Sequence, residues 1–336
     1  MARIGMIGMG SWGTALAYVL SSNGHKVTMW SKLADEVAMI NTCHEHQTKL
    51  PGVKLSAEVK AVSDMKTACA GMDMLVFAVP SVFVRNTAKE AAPYIKPGQL
   101  IVNVAKGIED ASLKLLSDIL EEEMPLADIA VLSGPSHAEE VGRGIPTTLV
   151  AGAKSKETAE YIQEVFMNNV LRVYTSPDIT GIELGGALKN VIALAAGVTD
   201  GLGYGDNTKA ALMTRGIAEM SRLGIACGGR PETFSGLSGI GDLIVTCTSL
   251  HSRNRKCGFL IGQGMSLNEA ADEVKMVVEG VYSAKAALAL SKKHGVDMPI
   301  IEQVNKVLFE GKSALEAVED LFLRDGRAEY GSLTWK

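Results

Sequence analysis

The stretch that decides the fold lies near the start of the chain, with the apolar run RIGMI at positions 3–7 and GMGSWG at positions 8–13. The apolar run predicts a buried parallel strand, and the G-x-G-x-x-G spacing after it is typical of a turn that binds a dinucleotide. Gly8 would permit the tight turn, Gly10 would let the backbone approach a pyrophosphate, and Gly13 would let helix and strand pack closely. Because a helix N-terminus also attracts phosphate, we predict nucleotide binding here; the alternative is a structural glycine turn without a ligand.

Strand and helix patterns alternate through the first half of the chain. A helix is expected over residues 12–22, stopped by Asn23-Gly24, and a second strand over residues 26–30. Further strands are expected at residues 74–79, 100–104, 129–132 and 148–150, and helices at residues 111–122 and 156–167. Such alternation predicts an α/β protein with an N-terminal Rossmann-type doubly wound sheet, mostly parallel and covered by helices on both faces.

The pattern changes after about residue 174, where Ala, Leu and Gly recur at helical spacing and no convincing strand follows. Residues 181–227 and 268–320 are expected to be helical. We therefore predict a dinucleotide-binding domain over residues 1–178, followed by an all-helical substrate-binding and catalytic C-terminal domain over residues 179–336, with the boundary near Pro177. A chain of 336 residues is long enough for each domain to have its own core.

Composition and charge exclude several classes of protein. With 47% hydrophobic and 21% charged residues, the chain has the composition of a globular protein and not of a disordered one. A formal net charge of −5 gives no reason for nonspecific attraction to nucleic acid or to an anionic membrane, so a phosphorylated ligand would need a local positive pocket. The five cysteines are scattered without a C-x-x-C, which indicates reduced thiols in a reducing compartment.

One N-terminal stretch superficially resembles a signal peptide, because residues 4–20 carry no charge and follow Arg3. Four glycines interrupt this stretch, however, and no small-residue cleavage context follows it. We also expect that no later apolar run approaches the roughly 20 residues of a membrane-spanning helix. The chain is therefore expected to be cytoplasmic, without stable membrane insertion and without a nucleic-acid partner.

The residues after the second strand bear on the choice of cofactor. An acidic residue about 20 positions after the glycines would bind the ribose 2′-hydroxyl of NAD. Here Trp30-Ser31-Lys32 occupies that place, and the first acid is Asp35. Since Lys32 is suited to a 2′-phosphate, NADPH is the favoured cofactor and NADH the alternative; a solvated surface lysine is the competing interpretation of Lys32.

Two lysines stand where lysines are unexpected. Lys106 follows the strand at 100–104, at the carboxyl end where open α/β sheets bind ligands. Lys189 lies inside an apolar helical stretch, and Gly185 and Gly186 leave the space beside its stem open to a ligand or to another backbone. Burial would lower the pKa of this amine toward the range useful for acid–base chemistry; the alternative is that the side chain reaches out to water.

Three further segments carry polar or small residues beyond what a plain core needs. They are residues 133–140 after the strand at 129–132, Asp242 after a flexible turn at 239–241, and residues 251–254, which are expected to open a helix. Backbone N–H groups of that helix, together with Arg253, would suit a phosphate. Helix capping is the alternative for each segment alone, but three of them beside a nucleotide loop favour a site.

Histidines and cysteines suggest a metal only at first sight. Cys43-His44-Glu45-His46 is a compact cluster, but a zinc site normally gathers ligands from two separated pairs and no second cluster follows, so no metal site is predicted. His137 is open to two interpretations, an acid–base group or a hydrogen-bonded structural histidine.

Taken in order, several segments closely resemble the bacterial NAD(P)-dependent glycerol-3-phosphate dehydrogenase family. They span nearly the whole chain and comprise residues 8–15, 133–141, 185–190, 196–207, 239–248, 251–254 and 276–280. The resemblance implies interconversion of dihydroxyacetone phosphate and sn-glycerol 3-phosphate, a role in phospholipid synthesis, and a homodimer. The family often has Arg or His just after the second strand, where this chain has Ser31-Lys32, and this departure bears on the cofactor and not on the reaction.

The resemblance also implies roles for single residues. Lys189 corresponds to the catalytic acid–base that donates a proton to the C2 carbonyl oxygen, and we count Lys106 and Asp242 with it as catalytic, with Asp242 orienting or charge-balancing the lysine. The implied substrate-binding residues are Lys106, Gly134, Ser136, Lys189, Asp242, Ser252, Arg253 and Asn254. The resemblance implies further cofactor contacts, which add to the glycine loop and Lys32. The predicted cofactor-binding residues are then Gly8, Gly10, Ser11, Trp12, Gly13, Lys32, Lys106, Ala138, Arg253, Val277 and Glu279.

Two other functions stay as alternatives. A dehydrogenase of the same two-domain plan acting on a β-hydroxyacid, or on ketopantoate, would also use a helix-borne lysine, but residues 252–254 favour a phosphate ester over a carboxylate. A nonenzymatic NADPH-binding module would keep the glycine loop and would need neither Lys189 nor Asp242.

Overall fold

The computed structural model describes residues 1–326 and 328–329 and contains an eight-stranded sheet. The strands are β1 (Arg3–Ile7), β2 (Lys26–Trp30), β3 (Lys60–Val62), β4 (Met74–Phe77), β5 (Leu100–Asn103), β6 (Asp128–Ser133), β7 (Thr147–Gly152) and β8 (Leu171–Ser176). Their order across the sheet is β3-β2-β1-β4-β5-β6-β7-β8, and every neighbouring pair is parallel except β6 with β7. The predicted Rossmann-type doubly wound sheet is confirmed.

The strand order reverses direction at β1, which lies between β2 and β4. Open α/β sheets bind their ligands beyond the carboxyl ends of the strands at such a switch point. The glycine loop leaves the carboxyl end of β1 at this place, so the fold positions the loop where a nucleotide is expected.

Two edge strands escaped the sequence reasoning, β3 at one edge of the sheet and β8 at the other. β3 has only three residues. In β8, buried Leu171 and Val173 alternate with exposed Arg172 and Tyr174. This period of two is typical of a half-buried strand, and a search for continuous apolar runs overlooks it.

Helices cover the sheet and make up the rest of the chain. Those that alternate with the strands are α1 (Ser11–Ser22), α2 (Ala34–Cys43), α3 (Met65–Cys69), α4 (Val84–Ala91), α5 (Leu116–Glu123), α6 (Ala138–Val141) and α7 (Lys156–Phe166). Those that follow the sheet are α8 (Ile179–Gly201), α9 (Asp206–Ala226), α10 (Pro231–Phe234), α11 (Asp242–Thr248), α12 (Arg253–Gly262), α13 (Leu267–Val274), α14 (Glu279–His294), α15 (Pro299–Phe309) and α16 (Ala314–Phe322). The prediction of helices after the sheet is confirmed.

The helix expected over residues 111–122 begins only at Leu116. The preceding segment turns back on itself, since Ile108 and Leu115 form an isolated antiparallel bridge and Leu113 has a positive φ of 59°. The apolar residues at helical spacing therefore led to a predicted start of α5 that was too early by about one turn and a half.

α8 is the central helix of the C-terminal half, and residues 181–199 in it are all buried. Its 23 residues are long and apolar enough to cross a membrane by length and composition, so the expectation that no later run approaches that length was wrong. Because 89% of its apolar window is buried inside the protein, the helix is explained as a core helix.

Each half has a large apolar core of its own, and Val131 and Val150 of the sheet pack with Ile182 of α8 in a small cluster between them. Side chains on the two faces of the sheet form the N-terminal cores, and α8 and the helices around it form another, which Ile108 joins from the first half. Between them, Asp178 caps α8 by accepting a hydrogen bond from the backbone N of Gly181 at 2.9 Å. The numerical division into 1–178 and 179–336 stays a prediction, and its last residues, 330–336, lie outside the described part of the chain.

Candidate active site

A cavity of about 750 Å³ opens at the carboxyl ends of β1, β2, β4 and β5, facing α8 and the start of α12. Most of the residues predicted for the site line this cleft. They are Gly8, Gly10, Ser11, Trp12, Lys32, Lys106, Ser136, Ala138, Lys189, Ser252, Arg253, Asn254, Val277 and Glu279. The other three predicted residues are Gly13, Gly134 and Asp242. They do not line the cleft themselves, but each contacts a residue that does.

The glycine loop has the shape that a pyrophosphate requires. A Cβ on Gly10 would meet no atom within 4 Å, so this residue faces open space in the cleft. A Cβ on Gly8, whose φ is +119°, would lie 2.8 Å from the backbone of Ala78, and one on Gly13 would lie 2.2 Å from Gly8 O. No side chain caps the N-terminus of α1 and its first turn holds no acidic residue. Free N–H groups and open space at one point fit a dinucleotide phosphate.

Two lysines share one buried carboxylate beside the cleft. Lys189 Nζ donates a hydrogen bond to Asp242 Oδ1 at 2.9 Å, and Lys106 Nζ donates to Asp242 Oδ2 at 2.6 Å. Lys189 Nζ also donates to Thr246 Oγ1 at 2.6 Å, and Lys106 Nζ to Gly134 O at 3.0 Å. An ammonium group has three N–H donors, so each lysine retains one for a ligand in the cleft that both line.

Burial sets the ionisation of this group. Lys189 is 6% exposed and Asp242 is 1% exposed. Burial lowers the pKa of Lys189 to about 8, against the raising effect of Asp242. Burial alone would raise the pKa of Asp242, but Lys106 and Lys189 hold it below its ordinary value. At neutral pH the carboxylate is charged and Lys189 is protonated, close to the pH at which it can release its proton.

The helix geometry explains how Lys189 and Asp242 meet. A π-helical turn over Leu237–Gly241 leads directly into α11. Asp242 therefore stands at the start of a helix, whereas the sequence suggested a position after a flexible turn. A Cβ on Gly185 would lie 2.4 Å from Ser238 O, which means that this backbone fills the space beside the Lys189 stem. Of the occupants that the sequence left open, another backbone lies against Gly185, whereas a Cβ on Gly186 would lie 3.3 Å from the Lys106 side chain.

Thr246 was missed by the sequence reasoning. Its hydroxyl donates to the backbone O of Asp242 at 2.6 Å while it accepts the hydrogen bond from Lys189. Because Thr246 is four residues after Asp242 on α11, the two share one helix face, and this spacing would have identified it.

The loop after β6 holds Lys106 from the other side. Gly134 O accepts hydrogen bonds from Lys106 Nζ and, at 2.9 Å, from Ser136 Oγ. Ser136 and Ala138 lie on the cleft, and Ala138 begins the short helix α6. Gly134 thus contributes a carbonyl that positions a lysine, while the residues after it present side chains and backbone to the cavity.

The N-terminus of α12 faces the cleft, as the sequence predicted. Ser252 caps the helix through a 3.2 Å hydrogen bond from Arg255 N to its hydroxyl. Arg253 donates to Val277 O at 3.3 Å. The Asn254 side chain is occupied on both ends, since it donates to Asn190 at 2.9 Å and accepts from Gly280 N at 2.8 Å. Asn254 is thereby held in a fixed orientation at the start of α12, where its backbone N–H also lies in the first turn of the helix.

Glu279 joins the two halves of the protein across the cleft. Its carboxylate accepts hydrogen bonds from the backbone N of Ser81 at 3.0 Å and from the Ser81 hydroxyl. Burial raises the pKa of Glu279, against these hydrogen bonds and the charge of Arg253. Ser81 was not singled out from the sequence, because its partner is 198 residues away.

Two other residues discussed from the sequence, Lys32 and His137, also line the cleft. Lys32 lies at the rim, with 60% of its side chain exposed and its Nζ 2.6 Å from Glu90. His137 Nε2 is 3.4 Å from Val245 O, its ring is 5.9 Å from that of His251, and burial lowers its pKa.

The cluster at residues 43–46 does not converge on a point. Glu45 pairs with Lys54 at 2.6 Å, whereas His46 turns inward toward Glu36. Within residues 1–326 and 328–329, no three His, Cys, Asp or Glu side chains are arranged to hold a metal ion.

Comparison with known proteins covers both halves of the chain. The family model for the NAD-dependent glycerol-3-phosphate dehydrogenase N-terminus matches residues 3–159, and the model for the C-terminus matches residues 178–319. A protein of Agathobacter rectalis named glycerol-3-phosphate dehydrogenase (NAD(P)+) is 62% identical over 336 residues, 100% of each chain. The protein of that name from Bacillus subtilis is 54% identical and covers 96% of this chain and 95% of its own.

Among solved structures, a 2.1 Å crystal structure of glycerol-3-phosphate dehydrogenase from Coxiella burnetii is similar over nearly the whole chain. Its TM-score is 0.93 at 36% sequence identity, and the match covers 96% of this chain and 99% of that one. Similarity of sequence and of fold therefore extends through the sheet and through the helical half that carries Lys189.

Proposed function

Because the chain belongs to the NAD-dependent glycerol-3-phosphate dehydrogenase family, we infer that it is an NAD(P)-dependent enzyme that reduces dihydroxyacetone phosphate to sn-glycerol 3-phosphate, reversibly. The product is the backbone of phospholipids, and we assign the enzyme to their synthesis. One observation carries the assignment of roles: a buried lysine, Lys189, points from a core helix into the cleft beside the glycine loop, with a carboxylate behind it.

We propose that Lys189 is the proton donor to the carbonyl oxygen at C2. When bound, the reduced nicotinamide supplies a hydride, and negative charge then develops on that oxygen. The free N–H of Lys189 stabilises this charge and transfers its proton, a role suited to a group with a pKa of about 8. In the reverse direction the neutral amine accepts the proton.

Lys106 and Asp242 act with Lys189 in this proposal. Lys106 brings a second positive charge to the cleft, and its remaining N–H would bind a substrate oxygen. Asp242 holds both ammonium groups in place and offsets their mutual repulsion, which would otherwise drive one of them to lose its proton. Ser136, on the same side of the cleft, would accept a hydrogen bond from the substrate, since its own proton is donated to Gly134 O.

The substrate phosphate is assigned to the start of α12. The backbone N–H groups of Arg253 and Asn254 lie in the first turn of this helix, where peptide dipoles favour an anion, and the Arg253 guanidinium adds a full charge. Binding energy from the phosphate would hold C2 in position for transfer, which is why a phosphorylated substrate would react far faster than its unphosphorylated analogue.

The cofactor is assigned to the glycine loop side of the cleft. The open space at Gly10 and the uncapped start of α1 support a pyrophosphate there, with Ser11, Trp12, Ala138, Val277 and Glu279 around it. We keep NADPH as the favoured cofactor over NADH. Lys32 supports this preference by its place on the cleft rim, although its ion pair with Glu90 competes with a 2′-phosphate.

Steady-state kinetics of the purified chain test the proposed function. We expect rapid oxidation of reduced cofactor with dihydroxyacetone phosphate, and at least about 100-fold lower kcat/KM with unphosphorylated dihydroxyacetone, since the phosphate contacts are charge-assisted. Parallel assays with NADPH and NADH measure the preference. Faster turnover of a keto acid such as ketopantoate would support the β-hydroxyacid alternative, and saturable cofactor binding without turnover of any substrate would support a binding module.

We also propose a cytoplasmic homodimer. The five cysteines of the described chain are free thiols, which supports a reducing compartment. The dimer rests on the family resemblance, and sedimentation velocity tests it: a species of twice the chain mass of 35.6 kDa is expected, and a lone monomer at micromolar concentration would refute it.

A further inference from the structure

A second charged cluster lines the cleft at the carboxyl end of β2. Glu36, on α2, turns its carboxylate back to the residue after the strand, where it accepts a 2.6 Å hydrogen bond from Ser31 Oγ. Lys49 Nζ donates to the other oxygen of the same carboxylate. Ser31, Glu36 and Lys49 all line the cleft that holds the glycine loop.

The cluster has an unused donor behind it. His46 is fully buried, and its Nδ1 accepts a hydrogen bond from the backbone N of Lys49 at 3.3 Å. In the neutral ring the proton therefore stands on Nε2, and burial lowers the pKa of His46, which favours the neutral form. Among residues 1–326 and 328–329, Nε2 has no hydrogen-bond partner, and it lies 3.6 Å from Glu36 Oε1.

The carboxylate stands where dinucleotide-binding sheets place an acid. That acid normally ends the second strand and binds the ribose hydroxyls. Here Ser31 follows the strand, and Glu36 reaches the same point from the next helix. Burial alone would raise the pKa of Glu36, but the hydrogen bonds from Lys49 and Ser31 hold it below its ordinary value, so the acid is charged at neutral pH.

We propose that Glu36 and Lys49 form a switchable ion pair that lets one site accept both the phosphorylated and the unphosphorylated adenosine ribose. This inference rests on the proposed function, in that the cleft binds NAD(P). With a free 2′-hydroxyl, Glu36 accepts its hydrogen bond and stays paired with Lys49. With a 2′-phosphate, Lys49 leaves Glu36 for the phosphate.

His46 lowers the free-energy cost of this exchange. When Lys49 turns to a phosphate, Glu36 would be left as a buried carboxylate with one hydrogen bond fewer. A small movement closes the 3.6 Å gap between His46 Nε2 and Glu36, so the imidazole N–H replaces the lost donor. The Lys49 side chain is 35% exposed, which gives it room to turn toward a ligand in the cleft.

Equilibrium binding of NADPH and NADH to the purified chain, without substrate, tests the exchange. We expect Lys49→Met to weaken NADPH about tenfold or more, the loss of one charge-assisted contact, and to leave the Kd for NADH within about threefold. Glu36→Gln should do the reverse, weakening NADH and leaving NADPH unchanged or tighter. Lys54→Met is the matched control, since Lys54 belongs to the same loop, is 68% exposed and pairs with Glu45.

Other binding results would contradict either the exchange or the proposed function. Equal losses for both cofactors in Lys49→Met, or a loss of NADPH binding only in Lys32→Met, would overturn the exchange while leaving the dehydrogenase assignment intact. If wild-type protein bound neither cofactor, the proposed function itself would fail. Should either single variant unfold, the double variant Glu36→Gln/Lys49→Met removes both charges together, and it should weaken the binding of both NADPH and NADH relative to the wild type; an unchanged Kd for either cofactor would refute the inference.

Discussion

At the scale of single residues, Asp242 sets the ionisation of the proposed catalytic group. It is nearly inaccessible and touches both lysines, so its charge acts over two short hydrogen bonds in a region with little water. Without this carboxylate, burial and the positive charge of Lys106 would both lower the pKa of Lys189, and the raising effect of Asp242 would be lost. The carboxylate thus keeps a buried amine protonated near neutral pH while leaving it able to release its proton.

Replacing Asp242 by Asn should therefore shift the pH dependence of reduction. Because reduction in the proposed mechanism requires protonated Lys189, kcat in the wild type should fall as pH rises through about 8. In Asp242→Asn the pKa of Lys189 drops, and the fall should begin at lower pH. A kcat profile at saturating cofactor measures this, with the exposed residue Asp272→Asn as the control; an unmoved basic limb would contradict the role of Asp242.

Much of this site could be predicted from local spacing. Lys189 was identified because glycines stand one turn before it, and Arg253 because it opens a helix after a capping serine. Residues paired over long separations escaped, such as Ser81 with Glu279 across 198 positions. The pairing of Glu36 with Lys49 also depends on a loop whose path no periodicity describes, because a loop carries neither a helical nor a strand repeat.

At the scale of elements, the contact of α8 with α12 links the proposed proton donor, Lys189, to the proposed phosphate site. The helices approach so closely that a Cβ on Gly197 would lie 2.0 Å from Arg255 O, and one on Gly258 would lie 2.0 Å from Leu194 O. Only hydrogen fits at these positions. Lys189 on α8 and Arg253 on α12 are thereby held at a fixed distance from each other.

Gly197→Ala should force these two helices apart. We expect a loss of about 1–3 kcal/mol in the free energy of unfolding, as for other overpacked contacts, and a higher KM for dihydroxyacetone phosphate. Chemical denaturation and steady-state kinetics measure the two effects. In the control variant Gly326→Ala the new Cβ meets no atom of the described residues within 4 Å, so both quantities should stay near wild type. Unchanged stability in Gly197→Ala would show that the helices can relax without cost.

The elements themselves were predicted unevenly from the sequence. The sequence predicted β1 and β2 from continuous apolar runs and the end of α1 from Asn23-Gly24, and the observed bounds are close to the expected ones. β3 and β8 were missed because edge strands bury only one face, and α5 starts late because a positive φ at Leu113 interrupts the helical pattern. Where the tertiary environment and not the local repeat decides a conformation, the sequence reasoning failed.

At the scale of the whole molecule, a buried carboxylate connects the sheet to the central helix. Glu183 on α8 accepts hydrogen bonds from Asn103 Nδ2 at 2.9 Å, at the end of β5, and from Ser117 N at 3.1 Å, at the start of α5. Glu183 is six residues before Lys189, and Asn103 is three before Lys106. The contact therefore sets the helix that carries one lysine against the strand that positions the other.

The ionisation of Glu183 should make stability depend on pH. Burial raises its pKa from the ordinary 4.5 to about 7, despite the hydrogen bonds from Ser117 and Asn103. A raised folded-state pKa contributes stability that is full below the unfolded value and is lost as pH rises through the folded value. Relative to Glu183→Gln, the wild type should lose free energy of unfolding between about pH 4.5 and about pH 7.

Urea unfolding of both proteins across that range measures the difference. The exposed residue Glu164 on α7 provides the control variant, Glu164→Gln, which should follow the wild type at every pH. A difference between wild type and Glu183→Gln that is constant with pH would mean that Glu183 keeps an ordinary pKa in the folded protein.

The most direct test of the account is the kcat of Lys189→Ala with dihydroxyacetone phosphate, measured alongside the Kd for NADPH. Loss of a general acid predicts a kcat lower by about 100- to 10,000-fold, with a Kd for NADPH within about threefold of wild type. The exposed-lysine variant Lys96→Ala should retain both values. Near-normal turnover in Lys189→Ala would contradict the assignment of Lys189 as the proton donor and would require another acid in the cleft.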